Sequence, residues 1–509
     1  MSRALMVLGT GSGAGKSLIT TALCRIFSDM GINTAPFKAQ NMALNSFVTV
    51  DGGEIGMAQA LQAEAARVEP VVDMNPVLLK PTGESRCQII IHGVLHSSMK
   101  AKEYYLSKDI TWKAATESYD RLSSKYDLIV MEGAGSPAEI NLLSEDIVNI
   151  SAAKYAKAPA VLVGDIDRGG LFASLYGTVK LLGRDAGIIK GFVINKFRGD
   201  ISILEPGLKM ISDLTKKPVL GVLPYLHETG LPEEDGLALN QKTEYRRQNA
   251  EGRISLQQVI KIVVVKLRYM SNFTDFDALG FEPDVHLIYS TNPSDIENAD
   301  IVIIPGTKNS AADLMLLKDS GLDQSVLRAY KKGVQLIGIC GGYQMLGRRL
   351  LDPDGIESSK KKIDGIGLLD IETTFTMNKK TRQIDALLCD SSIFEHSVCQ
   401  DAFSLRGYET HMGESKGGSG IFSITPRGSD LCIKDGALNK NCWGTYIHGI
   451  FDNDKFRRAV IDNARAAKQL APFTTGIRYL MMRDAAINRI ADCVKNSIDM
   501  NYMKKLAGV

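Results

Sequence analysis

A glycine-rich loop between an apolar strand and a helix is the feature that most constrains the fold of this 509-residue chain. Residues 9–17 read GTGSGAGKS, after the apolar residues 4–8 and before a helical pattern over residues 18–30. Successive backbone N–H groups in such a loop bind anions, and the N-terminus of the following helix adds positive potential. This order of strand, loop and helix predicts a parallel α/β sheet with a nucleotide phosphate at its carboxyl edge.

Two side chains of this loop have expected roles in nucleotide binding. Lys16 is expected to reach the outer phosphates of ATP, and Ser17 to ligate Mg²⁺. Thr10 stands where the first glycine of the GxxxxGK[ST] pattern is usual, and this variant resembles the dethiobiotin-synthetase-like branch of P-loop proteins. The loop residues expected to contact the nucleotide are Thr10, Ser12, Gly13, Ala14, Gly15, Lys16 and Ser17.

Charged residues near the ends of two later strands are further candidates. Lys38 follows a second short strand, and its spacing fits a phosphate contact and a solvated lysine equally well. Glu132 ends the apolar run 128–131 before a glycine-rich turn, which favours a metal carboxylate opposite Ser17 over a helix-capping carboxylate. Asp51 and Glu54 precede an alanine- and glutamine-rich helix that reaches residue 66. These acids either bind Mg²⁺, for which Asp51 is the expected ligand, or cap that helix.

Two more strand-to-loop units, residues 160–170 and 191–200, extend the same sheet edge. Asn195 is expected at a strand end on the nucleotide side, where its amide would hydrogen-bond the base. Strands that alternate with helices predict a doubly wound parallel sheet. Residues 221–225 look like its last strand, and the polar, turn-rich stretch 228–252 looks like the connection to a second domain. The same edge is expected to carry Asp165, Asp167 and Arg168.

The second domain is predicted to carry a cysteine nucleophile. Residues 338–344 read GICGGYQ and lie between a short apolar strand and a helical pattern. A cysteine flanked by glycines at such a turn is typical of a nucleophile elbow, and the helix N-terminus favours its thiolate. A lone cysteine is more often an inert buried group, so the assignment of Cys340 depends on its surroundings.

A nucleophile of this kind needs a base and donors for an oxyanion. The expected base is His448, which follows a β-type run and precedes a glycine turn, and the alternative base is His411. The backbone N–H groups of Gly306 and Gly341 are the expected donors. The elbow, the Pro-Gly turn and the late His-Gly resemble a class I glutamine amidotransferase domain. Members of that class commonly carry a carboxylate two residues after the histidine, but Ile450 stands there, so another group or none is expected to orient the imidazole.

Composition limits the partners and the location. With 44% apolar residues, 23% charged residues and a net charge of +2, the chain shows no footprint for nucleic acid or an anionic membrane. No apolar run reaches the length of a membrane span. The eight cysteines include no CxxC pair, and the first residues look like a strand rather than a signal peptide, so a cytoplasmic enzyme is expected.

The length implies two large domains with a smaller addition. The expected boundaries are a P-loop domain over 1–235, a linker over 236–258, a glutaminase domain over 259–455 and a C-terminal helical extension over 456–509. Within the extension, five apolar residues share one face at helical spacing, which predicts a packed amphipathic helix. They are Ile487, Ile490, Ala491, Val494 and Ile498.

Several long motifs, in this order, resemble the cobyrinic and cobyric acid amidating enzymes of cobalamin synthesis. They are KAQNMALNS (38–46), DGGEIG (51–56), GDIDRGG (164–170) and GYETHMG (407–413). The resemblance covers most of the chain and implies a P-loop domain fused to a glutaminase. It also implies four ATP- and glutamine-dependent amidations, of the b, d, e and g side-chain carboxylates of adenosylcobyrinic acid a,c-diamide.

Under this resemblance, ATP converts each carboxylate to an acyl phosphate, and Cys340 releases ammonia from L-glutamine through a thioester while His448 moves the protons. Because ammonia stops being a nucleophile once it is protonated in bulk water, we expect a sheltered path between the two sites. Three cations are candidates for holding substrate carboxylates, although surface salt bridges explain them equally well. They are Arg168, Lys196 and Arg198.

Two other functions stay open. One is a sister amidoligase, such as the enzyme that amidates the a and c carboxylates first. The other is a P-loop regulatory ATPase that carries an inactive glutaminase as a binding module. The presence of both Cys340 and His448 speaks against an inactive module, because such a module needs neither residue.

Overall fold

The computed structural model describes residues 3–81, 86–100, 108–227, 229–232, 258–396, 403–473 and 476–509. All but the last residue of the expected linker 236–258 lies outside these residues. The strands are β1 (Arg3–Gly9), β2 (Thr34–Phe37), β3 (Gln40–Met42), β4 (Ser46–Val48), β5 (Glu54–Gly56), β6 (Val77–Pro81), β7 (Arg86–Ile91), β8 (Val94–Lys100), β9 (Leu128–Glu132), β10 (Ala160–Asp165), β11 (Ile189–Phe197), β12 (Val219–Pro224), β13 (Ile260–Val265), β14 (Val285–Ser290), β15 (Ile301–Ile304), β16 (Gln335–Ile339), β17 (Arg349–Leu351), β18 (Lys362–Asp364), β19 (Ile371–Leu388), β20 (Ser404–Gly417), β21 (Phe422–Pro426), β22 (Ile433–Asp435), β23 (Ala437–Asn439) and β24 (Cys442–Thr445).

The α-helices follow the strands in alternation through much of the chain. They are α1 (Lys16–Asp29), α2 (Met57–Ala65), α3 (Lys108–Ser123), α4 (Ile150–Tyr155), α5 (Leu171–Leu182), α6 (Ile201–Thr215), α7 (Asp277–Phe281), α8 (Pro293–Glu297), α9 (Ser310–Asp319), α10 (Leu322–Lys331), α11 (Gly341–Leu346), α12 (Asp454–Ala467), α13 (Tyr479–Ser497) and α14 (Met500–Ala507). Among the described residues, no helix is both long and apolar enough to cross a membrane.

The first unit is built on a parallel sheet of strand order β12-β11-β10-β1-β9-β2. Its strands are largely apolar because both faces of the sheet are covered. In β1, Met6 and Leu8 belong to one core, and Leu5 and Val7 to the core on the opposite face. The predicted doubly wound α/β fold is confirmed here, and the glycine-rich loop leaves the carboxyl end of central strand β1.

The second unit is built on another sheet, of order β14-β13-β15-β16-β24-β23, in which all pairs but β23–β24 are parallel. The strand β16, which precedes Cys340, therefore lies between β15 and β24. The turn after residue 304 follows β15, and the run before His448 contains β24. The two predicted neighbours of the cysteine therefore come from the strands that flank β16. This adjacency could only be guessed from the sequence.

Three smaller sheets were not predicted. The long antiparallel pair β19–β20 anchors a sheet of order β18-β17-β19-β21-β22 in the second unit, and the first unit carries β3-β6-β7-β8 and the hairpin β4–β5. In β19 the exposed middle is polar and charged, so an apolar strand signal is present only near its ends. The acids near residue 51 do not cap a helix as one alternative expected, because Glu54 lies in β5 and α2 begins only at Met57.

The expected C-terminal extension divides between the two units. Helix α12 buries Phe456, Val460 and Ile461 in the core of the second unit. Helices α13 and α14 return to the first unit, where Ile487 and Val494 join the core beneath β1 and α1. The predicted apolar face of α13 is thus buried, and its packing partner is a helix more than four hundred residues earlier in the chain.

A buried arginine ties this returning helix to α1. The guanidinium of Arg25 is almost fully buried, and it donates to Asp484 at 2.7 Å, to Asn488 at 2.6 Å and to the carbonyl oxygen of Ala65 at 2.8 Å. A buried charge is tolerated when its hydrogen bonds are satisfied in this way. Helices α13 and α14 are therefore part of the nucleotide-binding unit.

Replacing a core residue of α13 should weaken the first unit. Ile487 is fully buried, so Ile487→Ala should lower the free energy of unfolding by about 2–5 kcal/mol through lost burial and a cavity. Urea unfolding measures this change, and hydrogen exchange in α1 shows which unit it affects. Met481→Ala, at a position 62% exposed on the same helix, is the matched control and should change stability by less than about 0.5 kcal/mol. Equal stability of both variants would contradict the assigned packing.

Candidate active sites

The cysteine lies at a tight strand-to-helix turn, as predicted. Cys340 has φ 52° and ψ −107°, and its N–H donates to the carbonyl oxygen of Thr445 at 2.9 Å. A Cβ added at Gly342 would lie 1.8 Å from the carbonyl oxygen of Ile304, so that position requires glycine. The strained backbone holds Cys340 at the N-terminus of α11, where backbone N–H groups converge.

The structure brings His448 and Gly306 to this cysteine. A Cβ added at Gly306 would lie 3.1 Å from Cε1 of His448 and 3.8 Å from Cβ of Cys340. The imidazole is 1% exposed, and the ring of Tyr408 stacks on it at a centroid distance of 5.1 Å. Gly341 follows Cys340 at the first position of α11, beside Thr307. The four residues expected to act on the glutamine amide thus meet in one place.

A carboxylate that sequence reasoning missed orients the histidine. Asp275 Oδ2 lies 2.7 Å from Nδ1 of His448, and its Oδ1 accepts the N–H of Gly449 at 3.1 Å. Asp275 lies in a short 3₁₀ turn after β13, 173 residues before its partner, whereas Ile450 is buried in the apolar core. The only available signal was its place beyond a strand end of the same parallel sheet.

The electrostatics of the pair suit proton transfer. Burial alone would lower the pKa of His448, but the negative charges of Asp275 and Cys340 outweigh it and raise that pKa to about 10. Because Nδ1 donates to Asp275, the proton exchanged with the thiol is carried by Nε2. That atom is buried, and the interaction of the imidazole with the Cys340 side chain contributes to the raised pKa of His448. The arrangement favours a protonated imidazole beside the sulfur of Cys340.

The rival base, His411, lies near the thiol but is engaged elsewhere. Its Nδ1 lies 3.0 Å from the carbonyl oxygen of Gly413, its Nε2 lies 3.4 Å from Glu409, and its ring stacks on Tyr446 at 3.8 Å. His411 lines the same small cavity as Cys340. It lines the cavity, while His448 is the histidine whose interaction with Cys340 raises its pKa.

Ionisable side chains with shifted pKa values line this cavity. Burial lowers the pKa of Lys379 to about 8, and burial together with the charge of Lys379 lowers that of Lys308 to about 8. Burial raises the pKa of Glu357 to about 8. These groups share the cavity with Cys340, where the α-amino and α-carboxylate groups of glutamine would need partners.

The P-loop of the first unit has the expected form. Gly13 and Gly15 have φ of 71° and 103°, and a Cβ added at Gly15 would lie 2.0 Å from Nδ2 of Asn195. Lys16 is buried and donates to the carbonyl oxygens of Gly11 at 2.8 Å and Gly135 at 3.0 Å. Thr10, Ser12 and Ala14 lie on the same loop between β1 and α1.

Glu132 accepts hydrogen bonds from three polar side chains behind the P-loop. Its Oε1 accepts from Ser17 Oγ and from Lys38 Nζ, both at 2.9 Å, and its Oε2 accepts from Gln62 at 2.5 Å. The expected contact between Ser17 and Glu132 is therefore present. A hydroxyl and a carboxylate facing each other fit Mg²⁺, which takes few protein ligands and completes its shell with phosphate and water. Among the described residues there is no group of three or more His, Cys, Asp or Glu side chains that could hold a metal without such help.

Two residues expected at the nucleotide edge serve the loop itself. Asn195 is buried and donates to the carbonyl oxygen of Ala14 at 2.9 Å. Lys196 donates to the carbonyl oxygen of Gly13 at 2.8 Å and pairs with Asp165 at 2.7 Å. The amide of Asn195 thus contacts the loop, and its expected contact with the base stays a prediction.

The two arginines of this edge differ in exposure and contacts. Arg198 pairs with Asp167 at 3.1 Å and lies 3.5 Å from the ring centroid of Tyr225. Arg168 has a side chain that is 76% exposed and lies next to Gly13. Of the three cations proposed for substrate carboxylates, Arg168 is the most accessible.

Asp51 lies away from the Ser17–Glu132 pair. It is exposed in the turn between β4 and β5, and a Cβ added at neighbouring Gly52 would lie 2.9 Å from the carbonyl oxygen of Thr381 in the second unit. This position disfavours the expected metal role of Asp51. The other acid of the motif, Glu54, is buried and forms ion pairs with Lys80 and Lys379.

Fold and site together define a glutamine amidotransferase joined to a P-loop nucleotide-binding domain. Residues 5–238 match the model of the CobQ/CobB/MinD/ParA nucleotide binding domain, and residues 261–456 match that of the CobB/CobQ-like glutamine amidotransferase domain.

Relatives of full length narrow this class to one family. The chain is 48% identical to the cobyric acid synthase of Thermodesulfovibrio yellowstonii, with 100% of both chains covered. It is 44% identical to the enzymes of that name from Syntrophobacter fumaroxidans, covering 100% of this chain and 99% of the relative, and Clostridium tetani, covering 99% of each. The chain belongs to the cobyric acid synthase family, which confirms the resemblance found in its motifs.

Removing the charge of Asp275 tests its role in the triad. Asp275→Asn should lower kcat of glutamine hydrolysis by roughly 10²–10⁴, because the imidazole loses its orientation and its counter-charge. Without that negative charge the pKa of His448 falls from about 10, so the basic limb of the pH–rate profile should move to lower pH. Steady-state assays over a pH series measure both effects. Asp370→Asn, at a carboxylate 78% exposed, is the control, and a wild-type profile for Asp275→Asn would refute the assignment.

Proposed function

We propose that the chain is an ATP- and glutamine-dependent amidoligase that converts adenosylcobyrinic acid a,c-diamide to adenosylcobyric acid. The reaction adds four amides, at the b, d, e and g side-chain carboxylates. The observation that carries the proposal is the presence, in one chain, of the Cys340–His448–Asp275 arrangement and a P-loop backed by Glu132. The names of the full-length relatives support the choice of substrate.

The second unit supplies nitrogen. The Cys340 thiolate attacks the side-chain carbonyl carbon of glutamine, and the tetrahedral oxyanion accepts from the backbone N–H groups of Gly306 and Gly341. His448 gives its Nε2 proton to the leaving ammonia, then takes one from the water that hydrolyses the thioester and releases glutamate. Asp275 holds the imidazole in the tautomer that this cycle needs.

The first unit makes the carboxylate reactive. A carboxylate is a poor electrophile, so its oxygen takes the γ-phosphoryl group of ATP and ADP leaves. Ammonia then attacks the acyl carbon, and inorganic phosphate and a proton leave as the amide forms. Lys16 neutralises charge on the transferred phosphoryl group, and Ser17 and Glu132 would hold Mg²⁺, which when bound shields the phosphate oxygens. Lys38, paired with Glu132 at 2.9 Å, holds this carboxylate in place.

The corrinoid has a fitting entry beside the P-loop. A cavity of about 450 Å³ opens there, lined by Gly11 and Ser12 on the phosphate side and by Met42, Leu79 and Leu142 on an apolar wall. An apolar macrocycle edge against that wall would bring a peripheral carboxylate to the phosphates. Exposed Arg168 remains the candidate for a second carboxylate. A cytoplasmic location, supported by free cysteines throughout the described residues, completes the proposal.

Counting amides tests the whole proposal. The protein is incubated with adenosylcobyrinic acid a,c-diamide, ATP, Mg²⁺ and glutamine, and the corrinoid is analysed by mass spectrometry over time. Four successive mass changes, each from an acid to an amide, are expected. Cys340→Ser should abolish the reaction with glutamine but retain it with a high concentration of ammonium, because only the nitrogen source is lost. Lys16→Ala should lose both reactions. If the a and c carboxylates of the unamidated acid reacted instead, the sister amidoligase would be the correct assignment.

The metal role of Glu132 has its own test. Glu132→Gln should raise the Mg²⁺ concentration needed for half-maximal amidation, because a neutral amide is a weaker ligand than a carboxylate. Glu205→Gln, on the exposed face of α6, is the control and should leave the magnesium titration unchanged. An unchanged titration for Glu132→Gln would remove this residue from the metal site. Glutamine hydrolysis without any amidation would instead favour a regulatory ATPase with an attached module.

A further inference from the structure

A segment of the first unit contacts the turn and the side chains that surround the catalytic residues of the second unit. It consists of residues 45–56, which include the hairpin β4–β5, and is called the clamp here. The N–H of Phe273 donates to Oδ1 of Asn45 at 3.0 Å, and the N–H of Ser46 donates to Oδ1 of Asn272 at 3.3 Å. Both asparagines are at most 1% exposed. Each unit thus uses a buried asparagine to bind the backbone of the other.

The backbone held in this way is the turn that carries the triad carboxylate. Asn272 has φ 52°, a conformation that needs support in a non-glycine residue, and its carbonyl oxygen accepts the N–H of Asp275 at 3.0 Å. One residue earlier, the N–H of Ser271 donates to the carbonyl oxygen of Gly306 at 3.0 Å. The clamp therefore binds the turn that positions Asp275 and that contacts Gly306, an expected oxyanion donor.

A second contact of the clamp reaches the histidine through Tyr408. The tyrosine ring stacks on His448 with an interplanar angle of 15°, and its hydroxyl donates to the carbonyl oxygen of Ser46 at 3.4 Å. The same hydroxyl also interacts with Asp275. Burial, and then the negative charge of Asp275, raise the pKa of Tyr408 well above its usual range. The tyrosine therefore joins the clamp, the imidazole and the carboxylate.

The third contact is a buried ion-pair cluster next to the thiol. Glu54 of the clamp is 1% exposed and accepts from Ser46 Oγ at 2.6 Å and from both Lys80 and Lys379. Lys379 belongs to β19 of the second unit and lines the Cys340 cavity. A carboxylate from the first unit thus balances a cation of the glutaminase site, which a buried lysine requires.

The clamp also leads back to the nucleotide site. It continues into α2, whose Gln62 donates to Glu132 at 2.5 Å. At its base the N–H of Gly56 donates to Oδ1 of Asn75, and Nδ2 of Asn75 donates to the carbonyl oxygen of Lys38 at 3.1 Å. The same short segment therefore connects the residues behind the P-loop with the turn behind the triad.

We propose that the clamp is a positioning element of the glutaminase site, with Asn45 holding the Asp275 turn, and that α2 makes glutamine hydrolysis respond to nucleotide bound at the P-loop. The inference rests on the proposed division of labour between the two units. It assigns positioning roles to Asn45, Ser46 and Glu54, which touch no reacting atom. Its physical basis is that a triad carboxylate held partly by another domain is well placed only when that domain is well ordered.

Glutamine hydrolysis by the full chain tests the positioning role. Asn45→Ala should lower kcat about 10–100-fold with little change in KM, because transition-state geometry is lost while glutamine contacts stay. The basic limb of its pH profile should move to lower pH, as His448 loses its well-placed counter-charge. Asn463→Ala is the matched control, since Asn463 is also buried and accepts one backbone N–H, that of His396 at 2.9 Å, away from the triad. It should keep the wild-type kcat and pH profile.

A second variant covers the case in which Asn45→Ala does not fold. Tyr408→Phe keeps the ring on His448 and removes only the hydroxyl, and it should likewise lower kcat and shift the basic limb. Circular dichroism and thermal unfolding establish that each variant is folded. Folded Asn45→Ala or Tyr408→Phe with the wild-type kcat and pH profile would overturn the positioning role.

The effect of nucleotide on glutamine hydrolysis is measured as the ratio of the hydrolysis rate with nucleotide to the rate without it. Wild-type glutamine hydrolysis should be faster with Mg²⁺ and a non-hydrolysable ATP analogue than without them, and Gln62→Leu should bring this ratio close to one. An unchanged ratio in the variant would overturn the link through α2. Neither assay contains a corrinoid, so a failure of the proposed amidation would leave these results interpretable, and a failure here would leave the corrinoid assay untouched.

Discussion

The hydrogen bond between the buried His448 and Asp275 is the interaction on which the second unit depends. An imidazolium and a carboxylate are each unfavourable in a dry interior, and each is stabilised there by the other and by further donors. At 2.7 Å, with side chains 1% and 4% exposed, the pair meets that requirement. The turn after β13, the ring of Tyr408 and the N–H of Gly449 all serve to hold it.

The pair also explains why the two units are joined so intimately. A carboxylate on a short turn is held only as well as the turn, and part of the support for this turn comes from Asn45 of the first unit. The helices α13 and α14 in turn complete the first unit, with Arg25 bridging to Asp484 across the chain. Both active sites are thereby set on a shared scaffold, although their chemistry belongs to separate sheets.

Local motifs were predictable from the sequence because their chemistry is local. The P-loop, the strand delivering Glu132 and the glycine turn at Cys340 each need a fixed order of strand, glycine and helix, and each was found where it was expected. The apolar face of α13 was equally readable. The sequence predicts a helix start at Asp51, but the structure has the turn of the hairpin β4–β5 there and the helix begins only at Met57.

Residues that act through distant contacts were not predictable in the same way. Nothing near Asp275 in the sequence marks it as the partner of His448, and the usual place for that carboxylate holds an apolar residue, Ile450. The long pair β19–β20 is not predicted because its polar middle carries no apolar alternation. The hydrogen bond from Asn195 to the carbonyl oxygen of Ala14 is likewise visible only in the folded chain.

The sequence by itself determined the two parallel sheets, the phosphate loop and the candidates for nucleophile and base, since apolar runs and glycines impose these features locally. Only the tertiary structure decided which carboxylate completes the triad, where the C-terminal helices pack and how the first unit bears on the second. Those choices depend on which strand ends lie side by side and on which buried charges find partners. Both are properties of the folded chain as a whole.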